Sequence, residues 1–168
     1  MQPLEAPDPH YLSAAEGWLG LGNPQEAIAE WDRLSAKGQR HPAALEIRWQ
    51  ILARLADWDR ALEVARDLVV AAPDACVGWL HRAYALRRAT TGGLEQAWEA
   101  LHPAADKFPE EDVVAYNLAC YATQLGRPDE GWEWYLRAVQ ISGDGKRVKS
   151  MALRDDDLKP LWDRIRAL

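Results

Sequence analysis

The chain has 168 residues, 48% of them hydrophobic and 27% charged, which excludes a disordered polymer and suffices for one ordinary domain with its own core. Its formal charge of −6 argues against a general nucleic-acid binder, which needs a basic face, and leaves room only for a local basic groove. The longest apolar run, Leu68 to Pro73, is far too short to span a bilayer, so no membrane partner is expected.

Cys76 and Cys120 are the only cysteines and lie far apart. Without a Cys-x-x-Cys pair there is no zinc or redox motif, and two thiols make no disulfide framework, so two reduced structural thiols are expected. Met1 to Glu5 shows no basic segment followed by an apolar run, so no signal peptide is read and a cytoplasmic location is inferred. Nine tryptophans against one phenylalanine point to large amphipathic rings at helix contacts, where the indole N–H can still find a partner.

In chain order, the first turn signal is Leu21-Gly22-Asn23-Pro24. Gly supplies a left-handed residue that ends a helix, Asn caps the next, and Pro fits its first turn. Pro24, Ala27, Trp31 and Leu34 follow at spacings of three, four and seven from Ala27, which places them on one helical face. Pro42 marks the break before the next unit, because proline cannot continue a helix that has just ended. Leu45, Trp49 and Leu52 then mark a helix, Ala56-Asp57 a turn, and Trp58, Ala61, Ala65 and Leu68 a second helix closed by Pro73. The pattern recurs as Trp79, Ala83 and Leu86, the turn Thr91-Gly92-Gly93, then Leu94, Ala97, Leu101 and Ala104, and Pro109. It recurs again as Ala115, Leu118, Ala119 and Ala122, the turn Leu125-Gly126-Arg127-Pro128, then Gly131, Tyr135 and Ala138.

From Lys146 onward the pattern degenerates. Val148, Met151 and Ala152 predict a short helix, and Asp155-Asp156-Asp157 predicts the cap of a last helix with Leu158, Leu161, Trp162 and Ile165 as its apolar stripe. A repeat array needs its last hydrophobic face covered, which this stripe does. The Asp run is read as negative charge at a helix N-terminus rather than a metal site, because no glycine-containing calcium loop follows it.

The small residues Ala27, Ala61, Ala97 and Gly131 are spaced by 34, 36 and 34 residues. Helix, short turn, helix and proline at this period resemble the tetratricopeptide-repeat (TPR) family over roughly residues 8 to 144. The resemblance implies an all-α fold, a TPR-type right-handed superhelix (α-solenoid) of antiparallel helix pairs with a C-terminal capping helix. It implies one domain over 1–168, with repeats near 8–41, 42–75, 76–111 and 112–144 and a degenerate repeat with its capping helix over 145–168. The match is uneven. The central Ala becomes Gly131 in the fourth unit, and the small residue of the first helix, Ala15, Ala83 and Ala119 elsewhere, is Trp49 in the second. Arg48 and Arg82 replace a leucine, so units two and three are expected to pack at a modified angle, with a gap for Trp49. Two extra residues before Leu94 lengthen the turn around Thr90 to Gly93.

In TPR proteins the first helices line a concave surface. Carried over by position, that surface takes Leu12, Ser13, Glu16 and Leu19 from unit one and Glu46, Ile47, Gln50 and Arg54 from unit two. It takes His81, Tyr84, Arg87 and Arg88 from unit three and Tyr116, Asn117, Cys120 and Gln124 from unit four. The resemblance implies a non-enzymatic scaffold for a protein or peptide partner, with a peptide groove formed by Gln50, Arg54, His81, Tyr84, Arg87, Arg88, Tyr116, Asn117, Cys120 and Gln124. Aromatic residues and arginines hold binding energy at interfaces, Asn117 stands where TPR domains often hold a peptide backbone, and the arginines suit an acidic or C-terminal peptide. The plain alternative is that Tyr84 and Tyr116 pack between helices and that the arginines pair with Glu46 or Glu16. Leu12 and Glu16 stand where chaperone-tail-binding TPR domains carry a lysine and an asparagine, so that clamp is not present in its usual form.

Three other readings compete. A Cys–His dyad of His81 and Cys120 has no evident orienting carboxylate, and two ligands are too few for zinc, so neither catalysis nor a metal or other cofactor is expected. Outer-face Trp98, Trp132 and Trp134 could bury a homodimer interface, because residues two apart cannot hide on one helix face. A secretion-type holdase chaperone would use the same groove and differs from an adaptor only in its client.

Overall fold

The computed structural model describes residues 3–168. Those residues form eleven α-helices joined by short turns and two 3-10 segments, with no strand among them. None of the helices is long and apolar enough to cross a membrane.

The helix boundaries follow from local chemistry. Pro24, Pro42 and Pro128 open α2 (Pro24–Trp31), α3 (Pro42–Arg54) and α9 (Pro128–Ser142), where the missing N–H costs nothing and the fixed φ already suits a helix. Asn23 accepts from the Glu26 N–H at 3.3 Å, and Asp57 caps α4 (Trp58–Ala71) by accepting from the Arg60 N–H at 3.3 Å. The Arg60 guanidinium also pairs with Asp57 and holds that carboxyl below its ordinary range. Gly22 and Gly126 take the left-handed turn positions at φ of 77° and 76°, as their place in the sequence predicts. In the second repeat the equivalent position is Ala56, at φ 55°.

Two compact units divide the chain, Met1–Thr91 and Gly92–Leu168. The first holds α1 (Asp8–Gly20), α2, α3, α4 and α5 (Cys76–Leu86). Three-residue turns make α1 with α2 and α3 with α4 antiparallel neighbours. One apolar cluster joins Ala15, Leu19, Ala27, Trp31, Leu34, Ala44, Ile47 and Ile51, and the Trp31 indole donates to the Ala44 carbonyl at 2.7 Å, tying α2 to α3. A second cluster joins Trp49, Leu52, Ala61, Leu62, Ala65, Ala85 and Ala89. Arg48 and Arg82, the two departures from leucine, lie over the Trp31 and Trp79 rings at 4.4 and 4.8 Å, and Arg48 also bonds Asp32 at 3.0 Å. Their aliphatic stems thus cover apolar surface while the charge stays over an aromatic face.

Residues 87–93, seven in all, separate α5 from α6 (Leu94–Leu101), against three residues at 21–23, 55–57 and 125–127. The long turn is tied down at Thr90, whose N–H and hydroxyl donate to the Asp59 carboxylate at 2.9 and 3.0 Å.

The second unit contains α6, the single turn α7 (Ala104–Lys107), α8 (Asp112–Gln124), α9, α10 (Gly145–Ala152) and α11 (Trp162–Ala167). Gly131 replaces the expected alanine for a visible reason. A Cβ there would lie 3.0 Å from the Ala119 carbonyl and collide with the Thr123 hydroxyl, which already donates to that carbonyl at 2.7 Å. The expected single last helix is in fact a 3-10 segment, Asp156–Leu161, followed by α11. Pro160 lies inside that segment and has no N–H to give a regular α-helix. The apolar stripe is still covered, with Leu158, Leu161 and Ile165 fully buried and the Trp162 indole donating to the Ala152 carbonyl at 2.9 Å.

Candidate peptide-binding cleft

Within the first unit, the first helices leave a cleft of about 550 Å³, a volume in the range of small-ligand and peptide-side-chain pockets. The end of α1 contributes Glu16, Leu19 and Gly20, and α3 contributes Trp49, Gln50, Ala53 and Arg54. Positions 49, 50, 53 and 54 share one helical face because residues three and four apart are neighbours on a helix surface. Tyr84 of α5 and Trp58 at the start of α4 complete the wall.

The aromatic groups of the wall touch one another. Trp49 meets Tyr84 edge-on at 5.9 Å, and Trp58 lies 5.7 Å from Tyr84. The His81 imidazole lies flat on Trp49, centroids 3.7 Å apart and planes 3° from parallel. Burial pushes the His81 pKa down to about 4, so the ring is neutral near pH 7. Arg88 stacks on Tyr84 at 3.6 Å and donates to the Tyr84 carbonyl at 3.1 Å, which holds its guanidinium at the aromatic edge. Arg54 is exposed and Gln50 is half-buried. The result is an apolar, ring-lined wall that carries the Arg54 guanidinium, the Gln50 amide and, from α1, the exposed Glu16 carboxylate.

Gln50, Arg54 and Tyr84 are therefore brought together. Arg88 joins them through Tyr84, and His81 backs the wall through Trp49. Arg87 is the C-cap of α5, half-buried, and does not line the cleft.

In the second unit the candidates on α8 meet the chain's own C-terminal segment. The Tyr116 hydroxyl donates to Asp155 at 2.9 Å, the Cys120 thiol approaches the same carboxylate oxygen at 3.6 Å, and the Gln124 amide donates to the Asp157 carbonyl at 2.8 Å. Burial, the neighbouring Cys120 and the bonded Asp155 raise the Tyr116 pKa far above that of a free phenol. Asn117 donates to the Val113 carbonyl of its own helix at 2.8 Å. Cys120, Asp155 and Asp157 bring possible ligand atoms within 4.8 Å of one another. Asp155 is already an acceptor there, for Tyr116 and for the Asp157 N–H at 3.0 Å as a cap of the 3-10 segment.

The outer-face tryptophans are also engaged. Trp98 is 8% exposed and packs with His102 and Trp134 at 5.3 and 6.3 Å. Trp132 stacks on Tyr135 and lies under the Arg164 guanidinium at 4.5 Å.

Sequence reasoning missed Trp58 and Ala53 as cleft residues, and it treated Trp49 as an irregularity of packing rather than as part of the wall. The signal for Trp49 was present, since an indole stands where the other units carry alanine.

No protein-family model and no curated protein matches the sequence. Among solved structures, a MamA structure titled "MamA RS-1 ArsTM double mutant" superposes with a TM-score of 0.69 at 20% identity, over 83% of this chain and 77% of that one. Another MamA crystal structure gives a TM-score of 0.70 at 17% identity, over 95% and 86%. TTC0263, described as a thermophilic TPR protein in Thermus thermophilus, gives 0.66 at 20% identity, over 96% of this chain and all of that one. The chain is thus an all-α helical-repeat protein, and its fold is of the TPR type.

Proposed function

We propose that the protein is a non-enzymatic interaction scaffold that binds an extended acidic or C-terminal peptide in the cleft of its first unit. The observation that carries this reading is the convergence of Trp49, Trp58 and Tyr84 with Arg54 and Gln50 around a volume of about 550 Å³. Aromatic walls take apolar side chains, a guanidinium takes a carboxylate, and a carboxamide is sequence-tolerant towards a peptide backbone. On the α8 face Tyr116, Cys120 and Gln124 are engaged by residues 155–157, which favours the first unit as the ligand's seat. The neutral, stacked state of His81 and the hydrogen-bonded position of Cys120 give no support to a thiolate–imidazole pair.

The test is fluorescence anisotropy with a pool of labelled, N-acetylated hexapeptides in which Asp and Glu flank one apolar residue, each made with a free and an amidated C-terminus. Arg54→Glu with Gln50→Ala is expected to abolish binding while the melting temperature moves little, because neither side chain is buried. Equal affinity after both changes would move the ligand off this cleft.

A further inference from the structure

Glu16 on α1, Gln50 on α3 and Tyr84 on α5 stand 34 residues apart in sequence, so one position of the repeat supplies a row of three side chains to the cleft. One helical turn further, the same spacing gives Gly20, Arg54 and Arg88. The charge of these rows changes from one side of the cleft to the other. Glu16 is the only anion and Arg54 the only cation among the described residues that line it, and Arg88 adds a second guanidinium at the Tyr84 edge. Gly20 keeps the space between them open, since even a Cβ there would have nothing within 4 Å. Elsewhere in this unit Arg33, Arg48 and Arg60 pair with Glu30, Asp32 and Asp57. The Glu16 and Arg54 side chains are exposed and have no ion pair or hydrogen bond among the described residues.

We infer that Glu16 gives the cleft a negative side opposite Arg54, and so selects a peptide with a lysine or arginine about three residues from its acidic group. The spacing follows from the packing of α1 on α3, which share Ala15, Leu19, Ile47 and Ile51 in one cluster. Packed helices lie about 8–10 Å apart, and an extended chain advances about 3.3 Å per residue. A segment crossing from α1 to α3 therefore places its cation at Glu16, its acidic group at Arg54 and an apolar side chain between them against the rings. A uniformly acidic segment meets like charge at Glu16. Such repulsion discriminates between partners more than it adds affinity. Arg54 then holds the acidic group, and Glu16 sets which way the segment runs.

This inference rests on the cleft being the peptide site, and the experiment separates the two. Labelled, N-acetylated and C-amidated hexapeptides with Leu at position 3 are titrated with the full chain at low ionic strength, where exposed charges are least screened. One pair has Asp at position 4 and either Lys or Glu at position 1, and a second pair exchanges the contents of positions 1 and 4. In one of the two orders the wild type is expected to bind the Lys peptide about two- to fivefold more tightly than its Glu counterpart. Glu16→Lys is expected to invert that preference and Glu16→Gln to remove it, with little change in melting temperature because residue 16 is exposed. A wild-type ratio near one in both orders, or a ratio that Glu16→Lys leaves unchanged, overturns the role of Glu16. Binding that Arg54→Glu still abolishes would leave the cleft reading standing in that case. If no hexapeptide binds the wild type, the cleft reading falls and this one with it.

Discussion

Ala56 carries a left-handed φ of 55° at the turn where the other two short turns use glycine. For an L-residue that conformation is disfavoured by roughly 1–2 kcal/mol, part of which glycine forfeits through its freer unfolded state. Ala56→Gly is therefore expected to stabilise the protein by about 0.5–1 kcal/mol, read as a higher urea midpoint at unchanged slope. Asp8 is the other residue whose behaviour follows from local geometry. Its carboxylate accepts from the Ser35 hydroxyl at 2.5 Å and the Ser35 N–H at 2.9 Å, and those bonds lower its pKa. A lowered folded pKa means that the ionised form stabilises the native state above the ordinary carboxylate range. That contribution disappears as the pH falls through the folded value. Asp8→Asn should flatten this acid branch of the melting-temperature profile between pH 6 and about pH 2. An unchanged branch would assign it to other carboxylates, with Asp57 beside Arg60 the first to examine.

At the scale of elements, the C-terminal segment is the part whose role changes most between sequence and structure. Its apolar residues do the expected work of covering the last hydrophobic face. The backbone that presents them is a 3-10 segment anchored on α8 through Asp155 and Asp157. Leu158 is fully buried, so Leu158→Ala is expected to cost about 2–5 kcal/mol. The measurement is chemical denaturation of the otherwise unaltered chain followed by far-ultraviolet circular dichroism. A loss under 1 kcal/mol would mean that the segment merely rests on α8. The same anchoring explains why candidates on α8 and candidates on α3 and α5, equivalent by position in the repeat, differ in what they touch. In the first unit the equivalent surface is open and lined by rings.

For the whole molecule, the outer-face tryptophans bear on self-assembly. Residues two apart, Trp132 and Trp134, cannot share one helix face, and the sequence alone therefore leaves a dimer interface open. In the folded chain Trp132 sits between Tyr135 and Arg164, and Trp134 packs against Trp98 and His102 under Arg137. With those rings partly covered and a formal charge of −6 opposing self-association, light scattering at micromolar concentration is expected to return the 18.9 kDa of one chain. A mass of twice that would restore the outer face as an interface.

The helical-repeat class, the turn positions and the apolar faces were legible in the sequence, because period, glycine, proline and capping residues act within a few residues of one another. Gly22, Asn23 and Pro24 end one helix and start the next whatever lies around them. Part of the cleft was legible for the same reason, since Gln50 and Arg54 lie one turn apart on one helix. Which candidate surfaces stay open is a matter of contacts more than thirty residues apart, such as Tyr116 with Asp155 and Gln124 with Asp157. No local pattern encodes those. The repeat and its register were thus determined by the sequence itself. Only the tertiary structure decided that Trp49 lines a cleft with an unpaired N–H while Tyr116 is already satisfied, because burial and hydrogen-bond partners arise from packing between elements rather than from periodicity along the chain.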